Sequence, residues 1–572
     1  MAGFKNSTTA ATPSWGRTPG IAGSSGGQLF DLSTIFALSM AVFVALILWF
    51  DNAQGITSNG VFKAVTIKAW VADSANASLE TSNYLYYPVM ALFCRLLDVI
   101  GVFPGDPRHQ LTIINAFSAA LCLCIVYLLV RQLTGRRSIA WAAAAFHLAG
   151  AFFLNLAIIN EDIMPSYTLM FASMALASLW FVRPTARRVA LVAALFTIAW
   201  LFEWRLMFPT LPAMLLALAV SPGRPLARLG WIALFLGAMV GLAQVAVWLW
   251  GPQNGNPGPV LSLLWTGKGT AEGWAGFSAV KVELLWAGIA QYLAGGANIA
   301  DPASLQPIMR EMLATTFCIA VIAGLSLLIL WRDRGSPQAR VLAAVFGVTF
   351  AVGEVMNLYS QPQDPQMQIN VMAWLTIGWA LILTVAVPWR PLPVLGGAMA
   401  LALALFAYNA SRLAPMRGTD AAWREALPRI ERNVDPTRTV FLLHGFEADV
   451  SELFYAWGGD WTYFDKLGPA PAAKPKFKFL ALVNGPLHKP SATGEELAKN
   501  LKGQIERVMD LGYEVVANVV WTWSEAQVEA SLATVADKEK AKGLYRALHE
   551  NFTATPTFSD PTTGPYFRLQ RR

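Results

Sequence analysis

The chain has 572 residues, of which 55% are hydrophobic and only 14% charged, and its mean hydropathy is +0.45. That balance excludes an ordinary soluble globular protein and fits a polytopic membrane protein. The net charge of +7 does not point to nucleic acid, because the arginines sit in short turns between apolar segments, where they report topology and contact with anionic lipid.

Taken in order, residues 1–32 are rich in Gly, Ser, Thr and Ala and are expected to form a disordered cytoplasmic tail. Segments near the roughly 20 residues that span hydrocarbon follow at 33–50, 111–130, 139–159, 167–182 and 189–202. They continue at 206–220, 229–250, 312–331, 341–355, 369–387 and 394–408. The first reads as an uncleaved anchor. The fold class expected is therefore mainly α, a transmembrane helical bundle of about eleven spans over 33–410.

The turns between these segments alternate in charge. One set carries Arg131, Arg136, Arg137, Arg183, Arg187, Arg188, Arg224, Arg228, Arg332, Arg334, Arg340 and Arg390, with Asp333 its only acid. The other carries Asp51, Asp73, Glu80, Asp106, Glu161, Asp162, Glu203, Glu272, Glu283, Asp301 and Asp364. The positive-inside bias places the arginines in the cytoplasm and the acids outside. An inner (plasma) membrane with its chemistry on the extracytoplasmic face is the expected location.

Three outer regions are long enough to build something. Residues 51–110 contain "VFKAVTIKAWVAD" and "NYLYYPVMALFCRLLDVIGVFP", expected as interfacial helices, with Tyr84, Tyr86 and Tyr87 at headgroup level. Residues 251–310 form a lid-like loop. Residues 411–572 make a soluble α/β domain, with strand-like "TVFLLHGF", "KFLALVNG" and "YEVVANVVWTW". Capping patterns at Thr493/Glu496 and Ser524/Gln527 open two helices there, and "GPYFRLQ" is a closing strand. Cys94, Cys122, Cys124 and Cys318 all lie in apolar stretches, so that domain has no disulfide framework.

The candidate site residues are the outer charges. Asp51 follows the first span at a helix C-terminus, where the dipole disfavours an acid; Asp73 is its rival. Glu161 and Asp162 adjoin in a tight turn, where they need water, a metal or a cation, although a helix N-terminus beside Pro165 also accommodates them. Glu203 and Arg205 are either a plain ion pair or a carboxylate beside a phosphate-holding guanidinium. Gln361 and Asp364, in a run of amides, suit sugar hydroxyls or an ordinary wet loop. Glu354 lies within a span and is a suspect for that reason. Lys268, Lys281 and Arg310 are further anion candidates, and Tyr87 is a candidate substrate contact. No HExxH, Walker loop, GxSxG elbow or GxGxxG after a strand occurs, which argues against ATP-driven transport and serine hydrolysis.

An acid directly after the first span in "LWFDNAQG", interfacial helices, acids between the third and fourth spans in "AIINEDIMPSY" and an outer C-terminal domain form one ensemble. It resembles the GT-C superfamily of polytopic glycosyltransferases, in the branch of protein O-mannosyltransferases and the lipid A aminoarabinose transferase, over residues 33 to 410. The resemblance implies a sugar donor on polyprenyl phosphate, a glycan, lipid or protein acceptor, and inversion at the anomeric carbon. Asp51 would be the catalytic base, although Asn52 stands where the branch often has a second acid. The later acid maps onto Glu161 or Asp162, and Arg205, then Lys268, would hold the departing phosphate. No cofactor is required; a divalent cation bridging Asp51 and Glu161 or Asp162 is compatible with the pattern. An oligosaccharide polymerase or ligase is the nearest alternative, followed by a lipid-linked sugar transporter and a non-catalytic scaffold.

Overall fold

A computed structural model describes residues 25–53, 59–74, 83–203, 205, 207–250, 279–296, 308–359, 368–443, 451–458, 467–472, 477–481, 493–531 and 538–572. The eleven apolar segments are helical, with 139–159 divided into two helices at Gly150. Among the described residues, eight helices are long and apolar enough to cross a membrane; counting the pair bent by 72° at Gly150 as one span makes nine. The chain is an integral membrane protein. Large apolar side chains such as Leu48, Trp248, Leu328 and Leu403 are exposed on these helices, as a surface bathed in lipid requires.

In chain order the bundle comprises α1 (Ser25–Phe50), then α2 (Asn59–Ala72) and α3 (Tyr86–Val99) in the first outer region. Next come α4 (Pro107–Thr134), α5 (Arg137–Ala149), α6 (Ala151–Ile158), α7 (Ile163–Trp180) and α8 (Ala186–Phe202). The chain continues through α9 (Met207–Ala219), α10 (Pro225–Trp250), α11 (Ala279–Leu293) and α12 (Met309–Arg332). A composite helix, α13 (Pro337–Leu342), a π-turn (Ala343–Val348) and α14 (Thr349–Tyr359), precedes α15 (Ile369–Ala386) and α16 (Pro391–Leu413). The expected segments at 189–202 and 206–220 are α8 and α9, of 17 and 13 residues. Both are shorter than a perpendicular span.

The expectation of a disordered tail through residue 32 is corrected in part. Helix α1 starts at Ser25, and Asp31 within it is 2% exposed. Arg137 Nε donates to Asp31 at 2.9 Å, and the Tyr127 hydroxyl donates to the same carboxylate. A buried carboxylate with partners on α4 and α5 holds its own turn in helical form.

After the bundle come α17 (Thr419–Glu431), β1 (Thr439–Leu443), α18 (Ser451–Trp457), β2 (Phe479–Ala481), α19 (Gly494–Asp510) and β3 (Glu514–Ala517). Helices α20 (Glu525–Ser531) and α21 (Lys538–Asn551) lead into the hairpin β4 (Phe552–Asp560) and β5 (Gly564–Arg571). The sheet order is β2-β1-β3-β5-β4: β1 runs parallel to β2 and β3, and β5 is antiparallel to β3 and β4. Thr493 and Glu496 complete the expected capping box of α19, whose Leu497, Leu501, Ile505 and Val508 are buried. Of the expected strand "YEVVANVVWTW", only Glu514–Ala517 is extended; Val519–Thr522 is a 3-10 turn capped by Asn518.

Helix α2 joins the two parts. Its Val61 and Phe62 are buried in one apolar cluster with Ala426, Ile430, Leu453, Phe479 and Tyr566 of the C-terminal domain. Its Ala64, Ile67 and Trp70 belong to the core of the membrane bundle. The amphipathic stretch is therefore a helix buried on both sides.

Candidate active site

The site is built from the C-terminal ends of α1 and α8, the turn before α7, and the segment that carries α2 and α3. Asp162 closes the turn before α7 and is fully buried. Lys63 Nζ of α2 lies 3.0 Å from Asp162 Oδ2, with side chains 5% and 0% exposed. Asn83 fastens the pair: its side-chain oxygen accepts from Lys63 at 3.0 Å, and its Nδ2 donates to Asp162 Oδ2 at 2.8 Å. The same Nδ2 reaches the Phe202 carbonyl at 2.7 Å and Glu203 Oε2 at 3.3 Å. One amide thus joins the loop before α3 to the ends of α7 and α8.

Glu203 caps the end of α8 and is 1% exposed. Arg205 Nε donates to Glu203 Oε1 at 2.7 Å, and Arg205 Nη2 to Oε2 at 3.2 Å. Of the two readings of this pair, the structure shows the ion pair. Burial holds the Glu203 carboxyl above the usual range; Arg205 opposes that rise and the Asp162 charge reinforces it. Arg205 is 30% exposed on its side chain, so it still faces water.

Glu161 is fully buried, and its carbonyl accepts from Asn115 Nδ2 at 2.6 Å. Asn115 also donates to Ile159 O at 2.6 Å, so one side chain of α4 satisfies two backbone groups of this non-helical turn. Asn160 N donates to Ala53 O at 2.8 Å, which fixes the turn to the loop after α1. Gly60 meets the same turn closely: a Cβ there would stand 1.7 Å from Asn160 Oδ1.

Asp51 follows the last residue of α1 with φ +43°, a left-handed conformation that a residue with a Cβ rarely adopts. It is the half-exposed acid of the group, 45% on its side chain, and Arg424 of α17 approaches its carboxylate at 3.4 and 3.5 Å. Asn52 beside it is 3% exposed and donates to Met416 O at 3.0 Å. Asp73, the rival, is exposed at the end of α2.

The tyrosines depart from expectation. Tyr84, Tyr86 and Tyr87 are buried inside the protein, at 1%, 0% and 2% exposure, so their rings are not wetted. Tyr86 packs edge-on against Tyr87 and Phe202, and the Lys63 ammonium lies 5.3 Å from the centre of the Tyr87 ring. Tyr87 is thus a wall for Lys63. Lys268, Gln361 and Asp364 lie outside the described residues. Among the described residues, no three His, Cys, Asp or Glu gather as a metal-holding group, and the cation beside Asp162 is Lys63.

Sequence reasoning singled out neither Lys63 nor Asn83. Lys63 reads as one of the polar residues of an amphipathic helix, and Asn83 is overshadowed by the aromatic run that follows it. The available signal was a lone lysine in the apolar half of "GVFKAV", where Val61, Phe62 and Ala64 are all buried.

No family model and no curated protein sequence matches the chain. Solved structures do. ArnT from Cupriavidus metallidurans bound to undecaprenyl phosphate superposes with a TM-score of 0.52 at 12% identity, over 95% of this chain and 98% of that one. The same protein in the apo state gives 0.53 at 12% identity, over 94% and 98%. Arabinofuranosyltransferase AftD from Mycobacteria covers 94% of this chain and 40% of that one, at 14% identity and a TM-score of 0.47. Coverage of 95% carries the likeness beyond residues 33–410 into the C-terminal α/β domain. The chain has the fold of ArnT.

Proposed function

We propose that the protein is an integral-membrane glycosyltransferase that moves a sugar from a polyprenyl-phosphate donor to an acceptor hydroxyl on the outer face of the membrane. The observation that carries this reading is the buried assembly of Lys63, Asp162, Asn83 and Glu203 beneath the loop that bears Asp51. Burying a lysine beside Asp162 and Glu203 at the ends of apolar helices is costly unless the charges are used or tightly paired. The fold shared with ArnT, whose structure holds undecaprenyl phosphate, supports a lipid-phosphate donor.

In this reaction the acceptor oxygen attacks the anomeric carbon while the bond from that carbon to the phosphate oxygen breaks, and the phosphate leaves with the bonding electrons. Asp51, half-exposed at the helix end, takes the acceptor proton. Such general-base help is worth about 10²–10⁴ in rate. Lys63, held by Asp162 and Asn83, offers positive charge to the departing phosphate, and Arg205 is a second cation at the water-facing side. Charge fixed before the reaction costs no reorganisation when it occurs. A single displacement inverts the anomeric carbon.

The reading includes a sidedness, which the charge distribution supports. The charges of the acidic set meet at one end of the bundle, and Arg137, which binds Asp31 at the start of α1, lies at the other. The positive-inside bias assigns the second end to the cytoplasm, which puts the C-terminal domain on the periplasmic or extracytoplasmic side of an inner membrane.

The test uses membranes containing the full chain and a radiolabelled polyprenyl-phosphate sugar. Label should pass to an acceptor, and Asp51→Asn should lower the rate at least about 100-fold at equal expression. Transfer by that variant at the normal rate would remove Asp51 as base. Label crossing the bilayer without transfer would indicate a transporter.

A further inference from the structure

Residues 49 to 53, which include the candidate base, are each contacted by a single short stretch at the start of the C-terminal domain. Arg417 Nε donates to Trp49 O at 2.8 Å, and Gly418 N donates to Phe50 O at 2.8 Å. These bonds satisfy carbonyls that the end of α1 leaves without helical partners. Arg424 approaches the Asp51 carboxylate, Met416 O accepts from Asn52, and Asp420 Oδ2 accepts from Ala53 N at 2.8 Å.

Asp420 is the unusual member. It is 1% exposed, and it accepts a hydrogen bond from a backbone amide of this loop. Burial holds its carboxyl above the usual range, despite the Ala53 amide and the nearby charges of Arg108, His109 and Arg424. A carboxylate placed in such surroundings is costly, and here it fixes the loop two residues from Asp51. The loop itself is strained at Asp51, with φ +43°, and such a conformation persists only when its surroundings over-determine it. The same domain grips the other half of the site, because Val61 and Phe62, the two residues before Lys63 on α2, lie in its apolar cluster.

We propose that Asp420 and Arg424 are positioning residues for Asp51, so that docking of the C-terminal domain assembles the catalytic loop. This rests on the reading of Asp51 as base. The domain is then part of the catalytic apparatus, acting through the loop geometry and not by touching substrate.

The experiment compares full-length Asp420→Ala, Asp420→Asn and Arg424→Ala in membranes at matched expression. Asp420→Ala should lower kcat about 100-fold, the scale of an ångström's misplacement, while KM for the lipid donor stays within about 2-fold. Asp420→Asn keeps an oxygen for the Ala53 amide and should recover most of the rate. Arg424→Ala, at an exposed position that the fold tolerates, should lower kcat about 10-fold.

A second readout needs no activity. In a Cys318→Ser background, the Asp51→Cys thiol should react with a membrane-impermeant maleimide about 10-fold faster once Asp420→Ala releases the loop. Full transfer rates in Asp420→Ala and Arg424→Ala, or unchanged labelling, overturn the proposal. If the unaltered protein transfers no sugar, the functional reading fails, and the labelling still decides whether Asp420 orders the loop.

Discussion

At the arginine-rich end of the bundle, Asp31 of α1 meets Arg137 of α5, with side-chain exposures of 3% and 58%. At the acidic end, Asp162 meets Lys63 with both partners buried, and Asn83, Glu203 and Arg205 continue the network. Both are single acid–base contacts between helices. The first leaves its cation in water, where it fastens two helices and marks topology. The second removes both charges from water and surrounds them with groups of defined geometry, an arrangement with a large desolvation cost that chemistry at charged centres can exploit.

Three substitutions can break or sharpen that contrast. The largest effect is expected at the acidic end: Lys63→Gln should reduce sugar transfer at least about 100-fold, the usual loss when one preorganised donor is removed. It should also lower the melting temperature of the detergent-purified protein, because Asp162 is left buried without its cation, at a cost of about 3–5 kcal/mol. An unchanged transfer rate would reduce the cluster to a structural knot.

The next effect concerns the C-terminal domain. Arg429 Nε donates to Asp560 Oδ2 at 2.6 Å, and the Thr562 and Thr563 amides reach Oδ1 at 2.9 and 3.1 Å. Burial opposes ionisation of Asp560, yet the Arg429 hydrogen bond and the two amides together hold its carboxyl below the usual range. Asp560→Asn should destabilise the domain by about 2 kcal/mol near neutral pH. A lowered folded-state pKa gives stability that is present above the unfolded value near 3.9 and is lost as pH falls through the lowered one. Thermal unfolding followed from pH 7 downward should therefore show the variant's deficit persisting to about pH 4 and closing below it. A deficit that is constant across that range would contradict the assignment. The smallest effect belongs to the arginine-rich end: Arg137→Gln should shift the melting temperature little and leave transfer unchanged, because its guanidinium is mostly exposed. A loss of transfer in that variant would erase the distinction between the two ends.

The apolar helices were legible because most are long apolar runs, and the capping boxes of the C-terminal domain because their spacing is local. Residue pairs that meet across long stretches of chain were not. Lys63 and Asp162 lie on separate outer segments, and neither "GVFKAV" nor "NEDIMP" indicates the other. Strand β4 was missed for a different reason. "FTATPTFSD" carries Pro556 and few apolar residues, and it is extended because it lies at the sheet edge, where a proline costs no ladder bond, with a register shift beside that residue. The burial of the tyrosine run was not legible because amphipathic rings suit both a wet interface and a packed wall, and composition does not distinguish them.

The tight seat of Gly60 against Asn160 has a consequence for how α2 can move. A single methyl group at position 60 would collide with that asparagine, so the start of α2 has no slack to slide along the turn before α7. Any displacement of Lys63 by a shift of its helix must therefore carry that turn, and Asp162 with it.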